Sequence, residues 1–363
     1  MSRAPVFHSL TISEVRRETA DAISVRFAVP EALREAYRFS QGQFVTLKAR
    51  VAGEELRRSY SVCCAVSDYR RDGELRVGIK RIEGGRFSTF ANAQFKPGMA
   101  LDVMTPDGRF FTPLAPRQRK HYVAFAGGSG ITPVLSNIKT VLEAEPLSRF
   151  TLIYGNRAIG AIMFSEELED LKNRHLGRLS LYHVISDEPQ EVELFNGLLD
   201  GAKCAQFLAA LVPPASIDEA FICGPAPMMD AAEAALLAAG VARERIHVER
   251  FGTPLPQAGP ARVAVVDSTA TARVRLIQHG KERVLSVPYA GQAVLDAGLH
   301  AGMDLPFACK GGVCCTCRAR VLEGEVRMDR NYSLEPHETA QGFVLTCQSH
   351  PVTADVTISY DER

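Results

Sequence analysis

Apolar and polar residues alternate in short runs over residues 7–105: FHSLTISEV, AISVRFAV, QFVTLKAR, LRRSYSVCC, ELRVGIK and ALDVM. Successive side chains of a strand point to opposite faces, so each run predicts a strand with one face on a core. Turn residues such as Asp72-Gly73 and Pro97-Gly98 separate the runs. Many short strands punctuated in this way predict an antiparallel β-barrel.

From about residue 118 the period changes. HYVAFAG, FTLIYG, LSLYHVIS, EAFICG and RIHVER read as strands. Between them lie helical stretches: 131–143, FSEELEDLKNR, AKCAQFLAALV and MMDAAEAALLAAG. Strands alternating with helices predict a doubly wound, parallel-sheet α/β domain. GTPLPQAGPA, residues 252–261, is rich in Pro and Gly and predicts a linker. The chain is therefore expected to divide into 1–113, 114–251, the linker 252–261 and a last domain over 262–363.

Composition narrows the function. The 363 residues carry 42 Lys+Arg against 42 Asp+Glu, a net charge of zero. Proteins whose main partner is nucleic acid or an anionic membrane surface usually carry a basic excess, so neither is expected. No apolar run reaches the ~18 residues of a membrane span, and MSRAPVFHSLTISEV lacks the apolar stretch of an export signal. The expectation is a cytoplasmic protein. Nine cysteines in so long a chain do not suggest a disulfide framework.

Four cysteines crowd into residues 309–317. Cys309-x4-Cys314-x2-Cys317, with Cys347 far downstream, has the ligand spacing of a 2Fe–2S cluster. Gly311 and Gly312 let the backbone wrap closely and aim N–H groups at sulfur. The alternative is a structural zinc site, which favours two short Cys pairs, and only one is present. Cys315 does not fit the spacing and reads as a bystander. Elsewhere, Gly127-Gly128-Ser129-Gly130-Ile131-Thr132-Pro133 lies between a strand and a helix, where a Gly-rich turn cradles phosphate.

Residues 262–363 resemble a plant-type ferredoxin, which implies an α+β (β-grasp) domain. RVRLIQHG and RVLSVP match its first hairpin, AGQAVLDAGLHAG its helix and LPFACKGGVCCTCRARVLEG its cluster loop. Its metal ligands would be Cys309, Cys314, Cys317 and Cys347. Residues 5–251 resemble the ferredoxin–NADP reductase superfamily. Arg58-Ser59-Tyr60-Ser61 matches the flavin motif R-x-Y-S. The resemblance implies that Arg58 meets the flavin pyrophosphate, Tyr60 covers the ring and Ser61 lies near its reactive nitrogen. Gly84-Gly85-Arg86-Phe87-Ser88 matches the second flavin motif, a helix N-terminus that receives the pyrophosphate through backbone N–H groups. Lys80 is a further candidate on the strand before it.

The same resemblance assigns coenzyme binding to Gly127, Gly128, Ser129, Gly130 and Thr132, and to Cys223-Gly224-Pro225. Cys223 would lie against the nicotinamide. Glu249 and Phe251 match the E-x-aromatic ending of single-unit reductases, where the chain closes over the flavin. Arg157 and Ser186, at predicted strand ends, are candidates for a coenzyme 2′-phosphate, and Asp187 beside them opposes that reading. Together these similarities imply FAD, with FMN the alternative, and NADPH as substrate rather than NADH. Domain order resembles the reductase components of oxygenases, and the whole chain is similar to a reductase that serves a di-iron oxygenase, which implies a di-iron oxygenase as electron acceptor. The alternatives are the reductase of another oxygenase or of a fatty-acyl desaturase, or a ferredoxin-like carrier without reductase activity. Cys63, Cys64 and Cys204 read as core.

Overall fold

The computed structural model describes residues 6–251 and 270–362. They form two compact units, one of them Phe7–Phe251 and the other holding 270–362. The expected linker at 252–261 lies outside the described residues.

The first unit opens with β1 (Phe7–Thr19), β2 (Ala22–Ala28), β3 (Phe44–Val51) and β4 (Glu54–Ser61). A short helix α1 (Val66–Asp72), β5 (Glu74–Lys80), helix α2 (Arg86–Gln94) and β6 (Ala100–Met104) follow. The strands form one antiparallel sheet in the order β4-β3-β6-β1-β2-β5. Its two edges meet where Val62 bridges Val77, so the sheet closes on itself as a barrel. The expected strand through Cys63 and Cys64 therefore ends earlier. Past Ser61 the chain leaves β3 for β5: the Cys63 amide donates to the Arg76 carbonyl at 2.8 Å and the chain then turns into α1. Both thiols are buried, as expected of core residues. Inward residues such as Val25, Phe27, Leu47 and Ile79 fill the barrel, each stabilising by ~1.5–3 kcal/mol relative to exposure.

Next come β7 (His121–Gly127), α3 (Ile131–Ala144), β8 (Arg149–Asn156), α4 (Ser165–Arg174) and β9 (Leu179–Ile185). Then α5 (Gly201–Ala210), β10 (Glu219–Cys223), α6 (Ala226–Ala238) and β11 (Ile246–Glu249) complete the unit. The sheet is parallel throughout, in the order β11-β10-β7-β8-β9. One core packs α3 and α4 on one face and a separate core packs α5 and α6 on the other. The chain winds outward from β7 through β8 and β9, then crosses to β10. The crevice at the carboxyl ends of β7 and β10 is thus the switch point where such sheets bind ligands.

The second unit has β12 (Thr271–Gln278), β13 (Lys281–Pro288), α7 (Val294–His300), β14 (Arg318–Glu323) and β15 (Val326–Met328). It ends with α8 (Pro336–Ala340), β16 (Phe343–Leu345), β17 (Ser349–Pro351) and β18 (Asp355–Ser359). The mixed sheet runs β13-β12-β18-β14-β16, with β12 and β18 parallel, and α7 contributes to its core. This is the β-grasp arrangement.

Candidate active site

Strand alternation puts Arg58 and Tyr60 on one face of β4. Arg58 is exposed, with its guanidinium donating to the Arg57 carbonyl at 2.7 Å. The Tyr60 ring rests on Phe87, centroid to centroid 5.8 Å. Burial pushes its phenol pKa up. Ser61 is 2% exposed, and among the described residues its Oγ has no hydrogen-bond partner. A buried hydroxyl without a partner is costly, of order 1–3 kcal/mol. It fits a site completed by a polar ring edge such as that of flavin.

Gly85 caps α2, and a Cβ there would stand 2.6 Å from Ser88 Oγ. Ser88 Oγ accepts the Ile82 amide at 3.1 Å, which fixes the turn. The amides of Arg86, Phe87 and Ser88 lead the helix and have no carbonyl one turn back, the donor set a pyrophosphate takes. The Arg86 side chain pairs with Glu54 at 2.6 Å. Lys80 lies 3.7 Å from Asp21 in an ion pair.

At the switch point two loops meet. Gly128 has φ +51, the left-handed region that glycine tolerates. A Cβ on Gly130 would lie 2.0 Å from the Cys223 carbonyl oxygen, and one on Gly127 2.7 Å from Pro225 Cδ. Glycine is therefore required for the β7 turn to pass the end of β10. Thr132 Oγ1 donates to the Ser129 carbonyl at 3.0 Å, and Tyr154 Oη donates to the Gly128 carbonyl at 2.8 Å. Cys223 is fully buried beside Glu249, its register partner on β11. Burial, then the Glu249 charge, raises its thiol pKa. Burial and the nearby Asp107 carboxylate push the Glu249 carboxyl up to about 8. Asp107, on the connection after β6, was not a sequence candidate; nothing in its local pattern marks it. Phe251 is 41% exposed.

Arg157, Ser186 and Asp187 come together at the ends of β8 and β9. The Asp187 amide donates to the Arg157 carbonyl at 2.8 Å. Ser186 Oγ donates to Asp187 Oδ1 at 2.5 Å. The Ser186 hydroxyl proton is thus held by the carboxylate, while the Arg157 side chain is exposed.

In the other unit Cys309 interacts most strongly with Cys314, and Cys317 with Cys347, while weaker interactions link Cys314 to Cys317 and Cys309 to Cys347. Among the described residues no three ligating side chains gather round a single point. Two pairs are what a two-iron centre takes, one pair per iron. Its Cys314 partner, then the Gly311, Val313 and Cys314 amides, lower the Cys309 thiol pKa against burial. The Gly311 amide lies 3.2 Å from Cys309 Sγ. Gly312 has φ +80, and a Cβ there would lie 3.0 Å from the Arg330 carbonyl, so only glycine lets the loop curl this tightly. Cys315 has φ +53 and packs against the domain core.

Family models match these segments. The 2Fe–2S iron–sulfur cluster binding domain matches residues 276–352. The oxidoreductase NAD-binding domain matches 125–234, and the oxidoreductase FAD-binding domain matches 9–111. The chain is 48% identical over 358 residues to a component of the 1,2-phenylacetyl-CoA epoxidase of Escherichia coli (strain K12), covering 98% of each chain. It belongs to the FAD- and 2Fe–2S-containing reductase family. A second member is the ferredoxin reductase component of 3-ketosteroid-9-alpha-monooxygenase of Rhodococcus rhodochrous, 34% identical over 97% of this chain and 96% of that one.

Phthalate dioxygenase reductase shares the fold of these reductases, with TM-score 0.59 at 23% identity, over 97% of this chain and 98% of that one. An intact type IV self-sufficient cytochrome P450 monooxygenase does so with TM-score 0.69 at 22% identity, over 97% of this chain and 41% of that one. As a member of this reductase family the protein is an electron-transfer enzyme that uses a pyridine nucleotide, FAD and a 2Fe–2S cluster. Among the described residues no helix is long and apolar enough to cross a membrane.

Proposed function

We propose that this reductase oxidises NADPH and delivers the electrons to the di-iron oxygenase component of a phenylacetyl-CoA epoxidase, in the cytoplasm. The observation that carries the acceptor is the 48% identity to the epoxidase component over 98% of both chains. Held by Arg58, Tyr60 and the α2 amides, FAD would supply two-electron hydride chemistry, and a cluster held by Cys309, Cys314, Cys317 and Cys347 would supply one-electron transfer.

The chain's own groups bind and align. Domain boundaries near residues 113, 251 and 262 separate the three cradles. Arg58 and the α2 amides hold the pyrophosphate, with Tyr60, backed by Phe87, against the ring. Ser61 offers a hydroxyl with no other partner among the described residues. The Gly127–Thr132 turn and Cys223-Gly224-Pro225 receive the coenzyme. Cys223 is a compact neutral thiol there, and Glu249 holds a proton at its carboxyl near neutral pH. Ser61, Cys223 and Glu249 are the catalytic residues of this reading. In this reading Phe251 covers the ring. Lys80 is occupied by Asp21 and contributes charge beyond the first contacts. Arg157 is the cation for the 2′-phosphate; Ser186 and Asp187, hydrogen-bonded to each other, favour NADH as the second reading. Cys309 with Cys314, and Cys317 with Cys347, ligate the cluster.

Reconstitution tests the acceptor. With purified epoxidase oxygenase component, NADPH and oxygen, the holoprotein should support turnover of phenylacetyl-CoA. Turnover of another oxygenase's substrate, with none of phenylacetyl-CoA, would overturn the assignment.

A further inference from the structure

The barrel and the parallel sheet of the first unit are joined by a chain of charges that is buried at its Glu18–Arg76 end and exposed at Arg71. Arg76, on β5, is bonded through Nη2 to Glu18 on β1 at 2.8 Å and through Nη1 to Glu167 on α4 at 2.6 Å. The Arg76 and Glu18 side chains are only 6% and 4% exposed. Glu167 in turn binds Lys139 of α3 at 2.9 Å, and Lys139 binds Asp68 of α1 at 2.8 Å. Arg71 closes the chain on Asp68 at 2.9 Å. The signs alternate from end to end, and the guanidinium also sits over the Phe164 ring at 4.9 Å. Against burial, Lys139 and Arg71 hold the Asp68 carboxyl down to about 2.

Two links of this chain cross from barrel to sheet: Arg76–Glu167 and Lys139–Asp68. A buried ion pair contributes little net stability, because desolvation offsets the attraction, but its geometry is specific. The surroundings show what that geometry fixes. The Arg76 carbonyl accepts the amide of Cys63, two residues past Ser61. Gly78, two residues further along β5, faces the coenzyme turn so closely that a Cβ would lie 2.6 Å from Thr132 Cγ2. Lys139 rides on α3, the helix that the coenzyme turn starts. Neutral bonds already hold α3 to the barrel side: Ser136 Oγ to the Cys64 carbonyl at 2.8 Å, and the Val66 amide to Thr140 Oγ1 at 3.2 Å. The charged links add α4 and a fixed register.

We infer that Glu167 and Lys139 are positioning residues for hydride transfer: their bridge to Arg76 and Asp68 sets the coenzyme turn against the flavin strand. This rests on the flavin and coenzyme cradles proposed above. Reaction between two held groups is sensitive to misplacement of about 1 Å, which costs on the order of 100-fold in rate.

The test removes both bridge residues together, Glu167→Gln with Lys139→Met, in the full-length holoprotein. That leaves Glu18–Arg76 and Asp68–Arg71 as self-contained pairs, so no buried charge is stranded. Three quantities are read: amide hydrogen exchange in α3, α4 and β5 without coenzyme, coenzyme KM, and the rate of flavin bleaching by NADPH in an anaerobic stopped flow. The expected result is full flavin content, faster exchange at these elements, a KM within about threefold, and bleaching slower by roughly 10–100-fold. Lys139→Arg, which keeps the charge, should retain most of the rate.

Faster exchange with an unchanged bleaching rate would make the bridge merely structural and overturn the proposal. So would equal loss in Lys139→Arg and the double variant. If the double variant does not retain flavin, Lys139→Met alone is read in the same way, and unchanged bleaching there overturns the proposal. A wild-type protein that NADPH and NADH both fail to bleach would instead overturn the underlying reading of the cradles.

Discussion

Cys314 and Cys315 are adjacent thiols in different surroundings. Cys314 interacts with Cys309, while Cys315 takes a left-handed conformation and packs on the domain core. Serine at Cys314 should therefore abolish iron retention, and serine at Cys315 should keep it. Iron analysis and the visible spectrum decide; equal iron loss in both variants would make Cys315 essential to the centre. At the coenzyme's far end, Arg157 is exposed and Ser186 is held by Asp187. If Arg157 grips a 2′-phosphate, Arg157→Ala should lose about 10–100-fold in kcat/KM with NADPH, as ~1.5–3 kcal/mol of charged hydrogen bonding predicts. NADH kinetics should change little. Equal loss with both coenzymes, or a wild type that prefers NADH, would make Asp187 the residue that selects coenzyme, through the ribose hydroxyl.

Among the elements, the turn after β7 depends most sharply on one residue type. Alanine at Gly130 would put a methyl 2.0 Å from the Cys223 carbonyl and 2.8 Å from the Gly224 amide nitrogen. The ends of β7 and β10 must then separate, an overpacking cost of ~1–3 kcal/mol. Expressed in coenzyme binding, that is a KM raised about 5–150-fold, with flavin and iron content unchanged. Gly160→Ala, where a Cβ meets nothing within 4 Å, is the control and should leave KM as it is. A Gly130→Ala enzyme with wild-type KM would show that the turn does not hold the coenzyme. The cluster loop and this turn were legible in the sequence because cluster ligation and close backbone approach demand particular residues at fixed spacing. Helix α1 was not. It is short, its apolar content is slight, and Asp72-Gly73 reads equally well as a plain turn. Nor was the end of β4, since the bridge from Val62 to Val77 joins residues distant in sequence.

Over the whole molecule the alternation of short strands, then of strands and helices, then the cysteine cluster, carried the three modules in order. What local pattern does not carry is pairing at a distance. Nothing in the local sequence sets Glu18, Arg76, Lys139 and Glu167 apart from other charged positions, yet they meet inside the first unit. Asp107 stands near Glu249 for the same reason. One chain thus joins a coenzyme site, a flavin and a 2Fe–2S cluster into a single electron path. The most direct test is an anaerobic titration of the full-length holoprotein with NADPH, followed together by flavin absorbance and electron paramagnetic resonance. Bleaching of the flavin and the signal of a reduced 2Fe–2S cluster are expected, both at full occupancy per chain. Flavin that bleaches while the cluster stays oxidised, or a metal that gives no such signal and analyses as zinc, would contradict such a path.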